Sequence, residues 1–519
     1  MSKIVDAYFE GFQENTIDIY SRVYNEFLRK KIVSAKEAAT AIQPGMIIAT
    51  SGFTPAGYPK SVPLALVDRI KKEGFKVNLW TGASVGDELD GALARAGGLA
   101  KYLPYQTNDD VRKLINEGEI EYLDLHLSHV GQMARSGFLG GKVDVAIIEA
   151  SAITEDGYII PTTSLGNTAS YVQSADRIIV EINVTQPENL AGIHDVYIPN
   201  DPPKRSPIMI GKVNDRIGVP YIASDINKIQ YIVPCDKPDG VRDFAKKDAI
   251  SEAIAGQLIE FFHDEIREGR LPCNLLPLQS GVGSVANAVV SGLVDSDFTD
   301  LTVYTEVIQD GLLDLIDAEK LVFASGTALT LSPYGLKRFY DEIERYRKRI
   351  VLRPQEISNS PEVIRRLGVI AMNTALEFDI YGNVNSTHVM GTKMMNGIGG
   401  SGDFARNAYL TIFFSSSLAK NGLISSIVPM CSHVDHTEHD TDIFVTERGI
   451  ADVRGLSPKQ RARRIIDRCV HPKYQPLLLD YLVRAERETH NTHTPHQLNE
   501  ALSWHERYLK TGSMAVKNA

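Results

Sequence analysis

Leu301-Thr302-Val303-Tyr304-Thr305-Glu306-Val307-Ile308-Gln309-Asp310-Gly311-Leu312 sets one carboxylate, Glu306, near the end of a run of β-branched and aromatic residues. The run from Leu301 to Ile308 has the composition of a strand, and Gly311 supplies a turn signal that closes it. Glu306 then stands near the strand's carboxyl end, the edge of an open α/β sheet where departing loops form the ligand crevice. A strand-end glutamate that faces solvent or pairs with an arginine is the plainer reading, because acids are seldom buried without a partner. The surrounding sequence decides between the two.

Two glycine-rich turns have a similar character. Gln279-Ser280-Gly281-Val282-Gly283-Ser284-Val285-Ala286-Asn287 follows the apolar run Leu275 to Leu278 and opens a helical pattern. Its backbone N–H groups therefore collect at a helix N-terminus, where anions and oxyanions are stabilised. Met394-Met395-Asn396-Gly397-Ile398-Gly399-Gly400-Ser401-Gly402-Asp403-Phe404 packs four glycines into six positions ahead of a helical segment from Ala405 to Phe413. Glycine there lets backbone approach a ligand closely. Neither turn matches a Walker A loop or a strict dinucleotide fingerprint, so each taken singly reads as a tight connection.

Outward from these motifs, short apolar runs alternate with helical stretches. Before residue 235 the runs are Met46 to Thr50, Val77 to Trp80, Val143 to Glu149, Ile178 to Ile182 and Ile229 to Val233. After it come Leu275 to Leu278, Leu301 to Val307, Lys320 to Ala324, Gly368 to Met372, Leu410 to Phe414, Ser425 to Pro429 and Ile443 to Thr446. Such alternation predicts largely parallel sheets flanked by helices. Cys235-Asp236-Lys237-Pro238-Asp239-Gly240 is polar and turn-rich and marks the boundary between halves. A helix from Ala249 to Glu268 follows and stops at Gly269. The expected organisation is a helical arm over 1–33, an α/β domain over 34–234 and a second over 235–519. The arm rests on Val5, Tyr8, Phe9, Phe12, Ile19, Val23, Phe27 and Leu28 at helical spacing. Val184 to Val219, rich in Pro and Asn, reads as a long ordered excursion that covers the site or an interface.

A chain of 519 residues exceeds one core, and 43% hydrophobic with 23% charged residues is ordinary for a globular enzyme. A net charge of −10 without a long basic run argues against nucleic acid as a partner, while a phosphate needs only a local basic patch. Cys235, Cys273, Cys431 and Cys469 lie too far apart in sequence for a zinc ribbon or a redox pair and read as reduced thiols. Asp6, Glu10 and Glu14 stand where an export or transit signal would avoid acids, and no apolar run approaches a membrane span. A cytoplasmic protein is expected.

Several motifs together resemble the acetyl-CoA hydrolase/transferase family of class I CoA-transferases, most closely its succinyl-CoA:acetate branch, over nearly the whole chain. They are Ser51 to Thr54 with Gly57 to Lys60, Thr81 to Ser84, Ala152 to Gly157, Gln279 to Ala288, Thr305 to Gly311, Tyr381 to Asn385, Lys393 to Phe404 and Ser432 to His436. The resemblance implies two related open α/β domains with the site between them, and a homodimer. It implies that Glu306 is the nucleophile that forms a glutamyl-CoA thioester, with the backbone N–H groups of Val282 and Gly400 as oxyanion donors and Asn359 beside the glutamate. Coenzyme A, a substrate and covalent intermediate with no resident cofactor or metal, is implied along Gly281, Val282, Gly283, Ser284 and Val285 and at Asn396, Gly400 and Lys420. Lys420 is the member of this set suited to a phosphate. The turn Ser51 to Gly57 is a candidate for the acyl group, through Thr54 or the backbone at Gly52 and Gly57, and reads equally as a structural βα turn.

Two rivals remain from the residues themselves. His433 to Asp440 holds three histidines, His433, His436 and His439, and three acids in eight positions, a density that could bind a divalent metal and activate water. Convergence in space would have to bring these ligands together. Acyl-CoA hydrolysis through the same Glu306 is the closer alternative, because water exclusion and not the nucleophile separates it from transfer. A non-enzymatic CoA-binding scaffold would have no use for Glu306.

Overall fold

The computed structural model describes residues 18–240, 248–281 and 283–515. Its first sheet contains β1 (Ile47–Thr50), β2 (Val77–Trp80), β3 (Leu99–Leu103), β4 (Glu121–Tyr122), β5 (Val145–Ala150), β6 (Arg177–Asn183) and β7 (Ile229–Cys235). Their order is β4-β3-β2-β1-β5-β6-β7 and every pair is parallel. The second contains β8 (Leu278–Ser280), β9 (Leu301–Tyr304), β10 (Leu321–Gly326), β11 (Ile350–Leu352), β12 (Ile370–Thr374), β13 (Leu410–Phe414), β14 (Ile443–Thr446) and β15 (Gly449–Asp452). Their order, β11-β10-β9-β8-β12-β13-β14-β15, repeats the first sheet strand for strand before adding one antiparallel edge strand. The two open α/β domains are thus related by topology, although no repeat at a fixed period marks them in sequence.

Strands such as β5, Val-Ala-Ile-Ile-Glu-Ala, are buried along their whole length, as helices on both faces of a parallel sheet require. Strand order reverses between β1 and β5 and again between β8 and β12, and a crevice opens beyond the carboxyl ends at such reversals. The turn Ser51 to Gly57 leaves β1 and the first glycine-rich turn leaves β8, so both stand at reversal points. One continuous apolar core takes in Trp80, Ile148 and Val180 from the first half and Leu278, Val303 and Ile370 from the second.

Several elements differ from the sequence reading. The run Leu301 to Val307 is broken: β9 ends at Tyr304, and Val307–Ile308 pairs with Ala328–Leu329 in a separate ribbon. Ser164 of the first half bridges to Ala328, so this ribbon crosses between halves. Gly311 closes nothing. It lies inside the helix Asp310–Asp317, where a Cβ would come within 2.7 Å of Val290 Cγ1, so close helix packing accounts for the glycine. Pro277 and a left-handed Leu275 (φ 57°) delay the strand expected at Leu275 until Leu278. Gly368 is a left-handed cap on the helix Pro361–Leu367, with the strand starting at Ile370. The helix expected over Ala405 to Phe413 is confined to Ser401–Ala405, because Leu410 to Phe414 forms the fully buried strand β13. Ser425 to Pro429 forms parts of two short strands, Ile424–Ser425 and Ile427–Val428.

Of the expected arm, residues 1–17 lie outside the described residues. The remainder is not one helix. Tyr24 N–H bonds to Ile153 O (2.9 Å) and Val33 N–H to Ile232 O (2.9 Å), so backbone groups pair with strand edges and leave a 3₁₀ turn, Tyr20–Arg22, and a short helix, Glu26–Arg29. Ile19, Val23 and Leu28 are buried in the first half, and Phe27 is exposed.

The excursion from Val184 to Val219 crosses to the second half. Ile208, Ile210 and Val213 pack with Ile357, Val363 and Ile364. Asp195 pairs with Arg353, both fully buried, and also accepts the N–H groups of Ile217 (3.0 Å) and Gly218 (2.7 Å). Removing one member of a buried ion pair typically costs about 3–5 kcal/mol, because the other charge is stranded. Asp195→Ala is expected to lower stability by roughly that amount in denaturant unfolding, and Asp195→Asn, which keeps an acceptor, by less.

Candidate active site

The interruption after β9 is what aims Glu306. Thr305 N–H still bonds to Ser325 O (2.9 Å), but the Glu306 carbonyl accepts from Thr327 (2.7 Å) and Ala328 (3.2 Å). The side chain lines a cavity of about 430 Å³ whose walls come from both halves. The Asn359 amide donates to Glu306 Oε1 at 2.7 Å, and Ser358 Oγ donates to Asn359 Oδ1 (2.8 Å), which turns the NH₂ group toward the glutamate. The same nitrogen lies 3.4 Å from Asp403 Oδ2, and Asp403 accepts Ser128 N–H (3.0 Å) and Oγ (2.6 Å) from the first half. Burial pushes Glu306 up to about 7; the Asn359 hydrogen bond opposes the rise and the Asp403 charge adds to it. Burial also pushes Asp403 up to about 6. A carboxyl raised by burial to titrate near neutral pH while it faces a cavity is a candidate reactive group.

Gly400 lies against this carboxylate. A Cβ at Gly400 would fall 2.1 Å from Glu306 Oε1 and 2.3 Å from Asn359 Nδ2, so the Gly400 backbone and the Glu306 carboxylate come close because no side chain intervenes. Gly281, Gly283, Ser284, Val285, Asn396 and Gly400 line the cavity together with Glu306. Gly283 (φ 125°) leads into the helix Ser284–Asp295, which places that helix's N-terminus at the cavity. Val282 lies outside the described residues. Lys420 is not in the cavity wall; it is exposed, left-handed (φ 49°), in the turn between Leu418–Ala419 and Ile424–Ser425.

The first half closes the cavity with Phe53, Thr54, Ala83, Tyr105 and Leu127. Of the turn Ser51 to Gly57, Phe53 and Thr54 face the cavity, with Thr54 held left-handed (φ 54°) and its hydroxyl 2.5 Å from that of Thr330. Gly57 serves packing instead, since a Cβ there would meet Ser164 Oγ at 2.5 Å.

The histidines diverge. His433 lies 3.2 Å from Asp435 and against the ring of His388, His436 is buried 3.1 Å from Ser401 Oγ, and exposed His439 sits 4.0 Å from Glu438. Among the described residues no group of three or more His, Cys, Asp or Glu is placed to hold a metal ion. Asp435 instead accepts Ser386 N–H (2.6 Å) and Thr387 Oγ1 (2.9 Å), making the motif a hydrogen-bonded turn that holds Ser386 at the cavity.

Sequence reasoning gave no role to Asp403, Tyr105 or Arg112. Asp403 sat inside a quoted motif, where its acid among glycines was a signal. Tyr105 and Arg112 belong to no motif and reach the cavity through tertiary placement. Arg112 brings a cation to the wall, its guanidinium donating to the carbonyls of Met395 and Thr107 and to Asp109.

Residues 17–234 match the acetyl-CoA hydrolase/transferase N-terminal domain and residues 335–482 match the C-terminal domain. The chain belongs to the acetyl-CoA hydrolase/transferase family. A succinyl-CoA:acetate CoA-transferase of Clostridium kluyveri is 55% identical over 495 residues, 95% of this chain and 92% of that protein. An acetyl-CoA hydrolase of Schizosaccharomyces pombe is 45% identical over 514 residues, 96% of this chain and 98% of its own length. A 4-hydroxybutyrate CoA-transferase from Porphyromonas gingivalis shares the fold, with a TM-score of 0.62 at 20% identity and coverage of 88% of this chain and 99% of that one. In this acetyl-CoA hydrolase/transferase chain, the stretch from 235 to 334 that holds Glu306 and the first glycine-rich turn lies between the two matched domains. Among the described residues, no helix is long and apolar enough to cross a membrane.

Gly400→Ala is expected to cut acyl-CoA turnover on the order of 100-fold, as displacement of a reacting group by about 1 Å does, with the far-UV spectrum unchanged. For Asn359→Ala the expectation concerns pH. Wild-type kcat/KM should rise as Glu306 ionises near pH 7, and loss of the hydrogen bond that opposes burial should move this limb to higher pH.

Proposed function

We propose that this protein moves CoA from succinyl-CoA to acetate through covalent intermediates on Glu306. The observation that carries the reading is the Glu306 carboxylate, raised to about 7, in a cavity between the two halves and in contact with the Gly400 backbone. A Glu306 oxygen attacks the succinyl thioester carbonyl, and the C–S bond breaks to give a mixed anhydride and CoA thiolate. The thiolate attacks the Glu306 carbonyl carbon, succinate leaves, and a glutamyl-CoA thioester remains. Acetate then attacks that carbon and expels the thiolate, which takes the acetyl group and returns Glu306 as a carboxylate. No proton is gained or lost across the cycle, and the thioester energy is kept.

Each step passes through a tetrahedral oxyanion, for which the Gly400 N–H, unpaired among the described residues, and that of Val282 are the proposed donors. Coenzyme A would run along Gly281 to Val285 and Asn396, with Lys420 or the wall cation Arg112 toward its phosphates. The identity to the Clostridium kluyveri enzyme favours succinate and acetate as the partner acids. The same reading includes a cytoplasmic homodimer organised as an arm over 1–33 and domains over 34–234 and 235–519. Hydrolysis is the second reading, favoured by the 45% identity to the Schizosaccharomyces pombe hydrolase.

Succinyl-CoA supplied with and without acetate separates the two. Acetyl-CoA formed only with acetate, plus a CoA-sized mass on the Glu306 peptide that Glu306→Ala abolishes, is the expected result. Free CoA released at the same rate without acetate would replace transfer by hydrolysis, and turnover that survives Glu306→Ala would end the glutamyl mechanism.

A further inference from the structure

The turn that carries Gly400 is tied to its own half, where Thr387 O accepts the Met395 N–H (2.8 Å), and is gripped from the other half as well. Asn116 accepts the Met394 N–H (2.9 Å) and donates to the Met394 carbonyl (2.8 Å), Arg112 donates to the Met395 carbonyl, and the Gln106 carbonyl accepts the Gly397 N–H (3.3 Å). Asp124, just past the edge strand β4, takes the next amide. Its carboxylate accepts the Ile398 N–H through both oxygens, at 3.0 and 2.9 Å, and receives the Tyr122 hydroxyl at 3.2 Å.

The fit around that contact is closed. A Cβ on Gly397 would fall 2.5 Å from Tyr122 Oη, 2.7 Å from Asp124 Oδ1 and 2.8 Å from Tyr105 Cδ2, so the turn has no room to slide along the first half. Two residues beyond Ile398 the chain reaches Gly400, whose backbone touches Glu306. Burial pushes Asp124 up to about 7 and the Ile398 N–H opposes the rise; two oxygens on one amide suit it to fixing a turn that has little side chain of its own.

We propose that Asp124 is a positioning residue for the CoA chemistry: by holding the Ile398 N–H it sets the Gly400 backbone against Glu306. Turn and nucleophile then come into register only when the first half is seated on the second. The proposal rests on the reading of Glu306 as the nucleophile.

The test compares Asp124→Ala and Asp124→Asn with the wild type on succinyl-CoA and acetate, reading kcat, KM, the rate at which the CoA mass appears on Glu306, and the thermal midpoint. Asp124→Ala is expected to lose about 10- to 100-fold in both kcat and the rate of adduct formation, with KM for succinyl-CoA within about threefold of wild type and the thermal midpoint little changed. Asp124→Asn, which keeps an oxygen for the Ile398 N–H, is expected to recover most of the rate. An unchanged rate in Asp124→Ala, a loss carried by KM alone, or an asparagine variant no better than alanine would overturn the proposal. Should Asp124→Ala fail to fold, Asp124→Glu replaces it: a folded variant with reduced kcat supports the proposal, and one with wild-type kcat overturns it. Failure of the underlying reading looks different, since the wild type itself would then form no adduct at Glu306.

Discussion

The hydrogen bond from Asn359 to Glu306, 2.7 Å long, fixes the terms on which the rest of the site is built. A neutral amide can orient a carboxylate without cancelling its charge. An arginine or lysine in that place would hold the carboxyl ionised and below the usual carboxylate range. With the amide alone to oppose burial, Glu306 is pushed up to about 7. The segment that presents Asn359 is correspondingly anchored: Arg353 pairs with Asp195, Gln355 donates to Leu127 O (3.0 Å), and Glu356 pairs with Arg135 (2.8 Å), each partner coming from the first half. The contact that orients Glu306 is maintained by ion pairs and hydrogen bonds a few residues away.

That arrangement explains why the site lies between two open sheets instead of on one. The second half supplies Glu306 and both glycine-rich turns, while the first supplies the opposing wall through Phe53, Thr54, Tyr105 and Leu127. With that wall in place Glu306 is buried between the halves, and burial is what raises its carboxyl to about 7. The shared apolar core and the ribbon that joins Ser164 to Ala328 keep the halves together.

Much of this was legible in the sequence, for particular reasons. Parallel strands buried on both faces are continuous apolar runs, so β2, β13 and β14 begin and end where composition places them. Glycines at Gly397 to Gly402 pointed to close approach of backbone to a ligand, and what the structure shows is Gly400 close against Glu306 and Asn359 of the same chain. What failed depended on long-range pairing. Thr305 to Ile308 reads as uninterrupted strand, yet the Glu306 carbonyl is claimed by Thr327 and Ala328, and no local propensity announces that. Asp124 and Arg112 were silent for the same reason, since their partners are distant in the chain. In the histidine cluster, density in sequence is not convergence in space, because each ring turns to its own neighbour.

The repeated strand order has one more consequence. Thr81 N–H bonds to Leu103 O (3.1 Å) just as Thr305 N–H bonds to Ser325 O (2.9 Å), so Gly82 occupies in the first sheet the place that Glu306 holds in the second. A Cβ on Gly82 would fall 2.3 Å from Gly52 O. Of two topologically equivalent stations, one carries the carboxylate and the other is filled by backbone, which leaves no room for a glutamate. The molecule is symmetric as a scaffold and asymmetric in chemistry, with a buried carboxylate on one lobe and plain backbone at the matching place on its twin.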